Sequence, residues 1–164
     1  MKKSSHSDRL LELRQRIDAL DARLVGLLAD RSRLVEQVGH LKAGKAVYRP
    51  EREAQILRRI TALNKGPLSG QALQRIYVEI ISACRALEDG MTVAFLGPAG
   101  TFSQEAARKH FGSATGLTAC GTIDEVFRRV EKGEAGFGVV PVENSTEGAV
   151  GRTLDLLMAT PARI

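Results

Sequence analysis

The chain has 164 residues, 43% hydrophobic and 26% charged, the balance of a soluble globular protein with room for one domain or for a small domain and part of a second. It has no apolar run of membrane-crossing or signal-peptide length, and Cys84 and Cys120 make neither a metal spacing nor a disulfide framework, so we expect a cytoplasmic protein with two plain buried thiols and no metal. The net charge of +5 belongs to the first half, with 17 Lys/Arg against 11 Asp/Glu in residues 1–89 and seven against eight thereafter; with only Tyr48 and Tyr77 as aromatics there, that half offers no base-stacking platform, and a small anion is a better partner than nucleic acid.

From Asp8 to about Lys42 there is no proline, and Leu10, Leu13, Ile17, Leu20, Leu24, Leu27, Leu34, Val38 and Leu41 recur at steps of three, four and seven. This spacing predicts one long helix. Arg49 and Pro50 start a second, with Glu53, Ile56, Leu57, Ile60 and Leu63 as its buried row, and Gly66 and Pro67 end it. A third begins near Ser69, turns Leu73, Ile76, Tyr77, Ile80, Ile81, Cys84 and Leu87 inward, and is expected to cap at Gly90. A first helix of roughly 50 Å leaves apolar surface that two shorter ones cannot cover, so a dimer packed on the long helices is expected.

After Gly90 the pattern changes to short β-rich runs alternating with helices: Thr92–Leu96, a glycine loop, a helix near Phe102–Phe111, a strand near Leu117–Cys120, a helix near Ile123–Glu131 and a strand over Gly136–Val142. That alternation predicts an α/β fold with a parallel sheet. Capping boxes are expected at Thr101 with Gln104 and at Thr122 with Glu125. The domains divide as residues 1–90 and 91–164.

The first helix carries a second stripe, Arg14, Ile17, Asp21, Leu24, Leu28, Arg31, Val35, Val38 and Lys42, which sets cations where periodicity assigns an interior. Such cations need an anion; snorkelling, or pairing with Asp21, is the alternative for any one of them. Arg31 and Lys42 lie three turns apart on one face, about 16 Å, close enough to converge on one ligand. Arg14 is a further ~25 Å along and can only serve a partner's pocket. Arg52 and Glu53 on the second helix and Cys84 and Glu88 on the third complete a cationic pocket inside a helix bundle.

The strings LRQRIDALDARLVGLLADRSRLVEQVGHLK, YRPEREAQIL and IYVEIISACRALE resemble the all-helical chorismate mutase family over residues 8–89. The resemblance implies that Arg14 of one subunit and Arg31 and Arg52 of the other hold the two carboxylates of chorismate. It further implies that Lys42 donates to the ether oxygen, that Glu53 binds the ring hydroxyl, and that Glu88 stands beside the ether oxygen. Arg49, where many members carry an acid, and Cys84, where many carry serine and which is counted among the substrate contacts, depart from the pattern. The implied reaction is a unimolecular Claisen rearrangement to prephenate, which needs no cofactor. Holding the substrate in a compact chair and meeting charge on the ether oxygen with Lys42 and protonated Glu88 are sufficient.

In the second half, Gly97-Pro98-Ala99-Gly100-Thr101 can cradle an anion at a helix N-terminus, or be only a tight turn. The longer strings VAFLGPAGTFSQEAA and GFGVVPVENSTEGAVGRTLDLL resemble the prephenate dehydratase domain, whose fold is similar to periplasmic binding proteins, over residues 92–164. By that resemblance Asn144 and Ser145 line the prephenate site, Thr101 is a further candidate in the loop, and Glu143 is either catalytic or a solvated loop acid. The family's later Thr-Arg-Phe motif and regulatory domain are not in this sequence, so the chain is similar to a fused chorismate mutase–prephenate dehydratase cut short, and no dehydratase activity is expected of it. Two other readings stand beside this one: an isochorismate pyruvate-lyase on the same scaffold, and a non-catalytic helical interaction module.

Overall fold

A computed structural model describes residues 6–42, 48–88, 90–144 and 148–164. The chain divides into two compact units, Met1–Ala43 and Gly44–Ile164. The described part of the first unit is one helix, α1 (His6–Lys42), 37 residues with Asp8 in its first turn, where the positive end of the helix dipole favours an acid. The apolar row is present, but it is not buried: Leu10, Leu13, Ile17, Leu20, Leu24, Leu27 and Leu34 are between 44% and 63% exposed.

In the second unit, α2 (Pro50–Leu63) begins with Pro50 in the first turn and with Glu51 and Glu53 near its N-terminus. It ends at Leu63, where Asn64 takes over the turn: its Oδ1 accepts from the Gly66 N–H at 3.1 Å and its Nδ2 donates to the Leu68 carbonyl at 2.7 Å. Ser69 caps α3 (Gly70–Arg85) by accepting from the Ala72 N–H at 3.1 Å. The inward row of α3 differs from the expected one. Ile81, Ser82, Cys84 and Arg85 are buried, whereas Ile76 and Leu87 are 47% and 54% exposed. Nor does the helix run on to Gly90. It closes at Arg85 in tight i→i+3 turns, with Leu87 N–H donating to the Cys84 carbonyl and Glu88 N–H to that of Arg85, because the buried Arg85 side chain anchors this end and the chain must turn into the sheet.

The α/β part runs β1 (Thr92–Leu96), α4 (Phe102–Phe111), β2 (Gly116–Cys120), α5 (Ile123–Glu131) and β3 (Phe137–Val139), in a parallel sheet of order β2-β1-β3. Central β1 is apolar and buried on both faces, as a covered parallel strand must be. Val93 packs with Ala107, Phe111 and Tyr48, and its neighbour Ala94 faces Cys120, Val126 and Ala135. The strand expected to reach Val142 stops at Val139; Pro141, two residues on, has no N–H to continue a ladder. A short hairpin, β4 (Glu143–Asn144) with β5 (Gly148–Ala149), leads into α6 (Gly151–Ala159). There the fully buried Thr153 donates to the Pro141 carbonyl at 2.7 Å, and Arg152 pairs with Asp124 of α5.

Of the two expected capping boxes only the one at Thr122 makes its hydroxyl bond, and in both the side chain three residues on reaches the residue before the cap. Thr122 accepts from the Glu125 N–H at 3.1 Å while Glu125 reaches back to the Gly121 N–H at 2.9 Å. At α4 the Thr101 hydroxyl instead donates to the Leu96 carbonyl at 3.2 Å, tying the loop to the end of β1, and Gln104 alone reaches back, to the Gly100 N–H at 2.7 Å.

Candidate functional site

On α1, Arg14 and Asp21 are exposed and Arg31 is half-buried. Arg31 Nη1 is shielded from solvent and has no hydrogen-bond partner among the described residues. A shielded guanidinium nitrogen without an acceptor is costly, so this atom is suited to receive an anion. Pairing with Asp21, the alternative account of these cations, is not found among the described residues; an ion pair on α1 joins Arg33 to Asp30 at 2.8 Å. Lys42 is the last residue of the helix.

On α2, Arg52 is exposed and Glu53, one residue on, is half-buried. Glu53 Oε1 accepts from Arg85 Nη1 at 2.5 Å. Burial pushes the Glu53 carboxyl above its ordinary pKa, and the adjacent Arg85, with a smaller effect of His110, opposes that shift. Arg85 is only 6% exposed, and its other terminal nitrogen, Nη2, donates to the Phe111 carbonyl and, at 3.1 Å, to Thr115 Oγ1. Its guanidinium carbon lies 4.9 Å from the centre of the Tyr48 ring, within cation–π range. Burial, followed by the charge of Glu53, raises the pKa of the Tyr48 hydroxyl, which hydrogen-bonds to His110 Nε2 at 2.9 Å. Cys84 is buried, and Glu88 is half-buried in the turn beyond α3.

At the N-terminus of α4, Gly100, Thr101, Phe102, Gln104, Glu105 and Arg108 line a cleft of about 490 Å³. Two of the groups that would cradle an anion here are already engaged, the Gly100 N–H by Gln104 and the Thr101 hydroxyl by Leu96. Asn144 is exposed in β4. Ser145 lies outside the described residues. Among the described residues no cluster of His, Cys, Asp and Glu could hold a metal, and no helix is long and apolar enough to cross a membrane.

Comparison with known proteins accounts for both halves. Residues 13–89 match the family profile described as chorismate mutase type II, and residues 93–164 match that of prephenate dehydratase. The bifunctional chorismate mutase/prephenate dehydratase of Neisseria gonorrhoeae is 52% identical over 151 residues, and that of Pseudomonas aeruginosa 53% over 155; the alignments cover 92% and 90% of this chain. The chain belongs to the bifunctional chorismate mutase/prephenate dehydratase family. It spans about 42% of the length of these two relatives. A chorismate mutase structure from Thermus thermophilus is 34% identical, covering 49% of this chain and 94% of that one, with a TM-score of 0.48.

Arg85 lies in the mutase segment, while the Phe111 carbonyl and Thr115 hydroxyl that fix it lie in the dehydratase segment. Sequence reasoning passed over Arg85. The signal was present, since Arg85 follows Val78 and Ile81 at helical spacing and so falls on the apolar face of α3, where a cation has to find an acceptor.

Proposed function

We propose that this chain is a chorismate mutase that converts chorismate to prephenate for phenylalanine biosynthesis in the cytoplasm. What carries the reading is the identity above 50% to bifunctional chorismate mutase/prephenate dehydratases over nine-tenths of the chain. Arg31 and Arg52, with Arg14 of a second copy, bind the substrate carboxylates, and Glu53 accepts from the ring hydroxyl through Oε2, the oxygen not committed to Arg85. This positioning lowers the barrier by fixing the chair in which the reacting carbons meet. Lys42, and Glu88 when it carries its proton, donate to the ether oxygen as its bond to carbon breaks, so the developing charge meets donors already in place. The reaction is an isomerisation and asks for no nucleophile or cofactor.

The exposed apolar row of α1 supports a homodimer. Covering the exposed half of each such leucine or isoleucine is worth about 1 kcal/mol, and the row extends through most of a 37-residue helix. In the dehydratase segment, Thr101, Asn144 and Ser145 are the candidates for contact with prephenate. Incubation of the purified protein with chorismate, and separately with isochorismate, tests the assignment. Prephenate from the first supports it. Pyruvate released from the second, with chorismate untouched, would make the protein an isochorismate pyruvate-lyase instead.

A further inference from the structure

The mutase helices α2 and α3 meet the α/β part along a polar seam at the end of α4. Glu79 of α3 accepts from both the backbone N–H and the hydroxyl of Ser113, at 3.1 and 2.5 Å. Ser82, 1% exposed, packs against Gly112 and lies 3.5 Å from the Thr115 hydroxyl. Arg85 then spans the seam, with Nη1 on Glu53 and Nη2 on the Phe111 carbonyl and Thr115 Oγ1, while Thr115 donates in turn to the same carbonyl at 2.9 Å. We propose that Arg85 is a positioning residue for the mutase: held from the dehydratase segment by Phe111 and Thr115, it fixes Glu53 for the substrate hydroxyl, so that the α/β part sets how tightly the helical part holds chorismate. This rests on the function proposed above.

A glutamate with one oxygen bound at 2.5 Å by a buried guanidinium cannot change rotamer without leaving that cation unpaired, so its second oxygen is fixed in direction. The guanidinium is itself constrained, because its planar fork is engaged on both terminal nitrogens and its face lies over Tyr48. Glu53 therefore takes its orientation from a carbonyl and a hydroxyl more than fifty residues further along the chain. Lysine at position 85 could reach one of these acceptors but could not bridge both sets.

The test is steady-state mutase kinetics of the full chain against pH, for wild type, Arg85→Gln, Arg85→Lys and Thr115→Val. Thr115→Val removes one acceptor of the clamp and leaves every mutase residue in place. Arg85→Gln is expected to raise KM for chorismate about 10-fold, the effect of one charge-assisted hydrogen bond, with kcat within about 3-fold of wild type. Arg85→Lys should recover part of this loss, and Thr115→Val should show a smaller rise in KM of the same kind.

The pH profile adds a readout that a merely structural role would not move. Glu53 accepts most strongly from a hydroxyl when ionised, and Arg85 lowers its pKa against the effect of burial. Among the described residues Arg85 and His110 act on its charge, and Tyr48, which Glu51 also influences, stands beside them. Loss of Arg85 should therefore move the acid limb of kcat/KM to higher pH, with His110 and Tyr48 both still present in the variant. The proposal is overturned if the three variants melt at lower temperature but keep the wild-type KM and acid limb, or if the loss falls on kcat alone. A wild-type chain that leaves chorismate unchanged overturns both this proposal and the function on which it rests.

Discussion

Gly112 and Ser82 meet so closely that a Cβ on residue 112 would stand 2.3 Å from the Ser82 Cβ. Gly112 caps α4 with φ +82, a conformation that side chains disfavour, so an alanine there suffers twice. Gly112→Ala should destabilise the protein by about 2–5 kcal/mol, combining backbone strain with overpacking. Gly100→Ala, at φ +87 but with open space around the new methyl group, should cost only about 1 kcal/mol. Urea unfolding of the two variants measures the difference, and equal losses would mean that α3 and α4 approach each other less closely than this.

The start of α5 should give the protein a measurable acid sensitivity. The Glu125 carboxylate accepts from the Gly121 N–H and is paired with Arg129, and Asp124 is bonded to Arg152; both carboxyls are held below their ordinary pKa by these partners. A carboxylate whose folded pKa is depressed contributes stability that is present above its ordinary range and lost as pH falls through the folded value. Glu125→Gln should therefore lower the melting temperature at pH 7, and the gap from wild type should close below about pH 4. A gap that stays constant down to low pH would mean that Glu125 acts through shape and not through charge.

Element order up to β3 was readable from periodicity and breakers, because the starts of α2 to α5 carried local chemical marks, Pro50, Ser69, Thr101 and Thr122; α6, which follows Val150 with no capping side chain, was not. What was not readable was set by contacts remote in sequence. The early end of α3 depends on Arg85 meeting Phe111 and Thr115, whereas the half-made box at Thr101 depends on a nearer group, the Leu96 carbonyl at the end of β1, which cap spacing alone does not locate. Of the candidate site, spacing along one helix was legible, as for Arg31 and Lys42 on α1. Glu53 could be picked out as a site residue, but its partner is 32 residues away, and no spacing rule couples the two.

Arg14 and Arg31 are separated along α1 by about 25 Å, too far for one small substrate bound within a single copy. If Arg14 serves the second copy, Arg14→Ala and Arg31→Ala proteins, each about 10²-fold or more impaired, should regain activity when mixed and allowed to exchange subunits, because half of the mixed dimer's sites would be intact. Assaying the mixture over time against each parent checks this. A fully active monomer, or a mixture no better than its parts, would separate the two arginines from a shared site.

Glu88 helps the reaction only as a donor, since a carboxylate would repel charge growing on the ether oxygen. Glu88→Gln offers an amide donor at every pH. Its kcat should be at least that of wild type, while Glu88→Ala should be poor. A Glu88→Gln enzyme as poor as Glu88→Ala would place residue 88 away from the ether oxygen.

The central claim is that the helical part rearranges chorismate by meeting its ether oxygen with a fixed cation. The most direct measurement is the initial rate of prephenate formation from chorismate by wild type and by Lys42→Ala, with prephenate identified as the product. The account predicts saturable turnover by wild type and a loss of about 10²–10³-fold in kcat on removal of the lysine, the effect of deleting one preorganised donor from a developing oxyanion. No turnover by wild type, or turnover that survives Lys42→Ala unchanged, would contradict it.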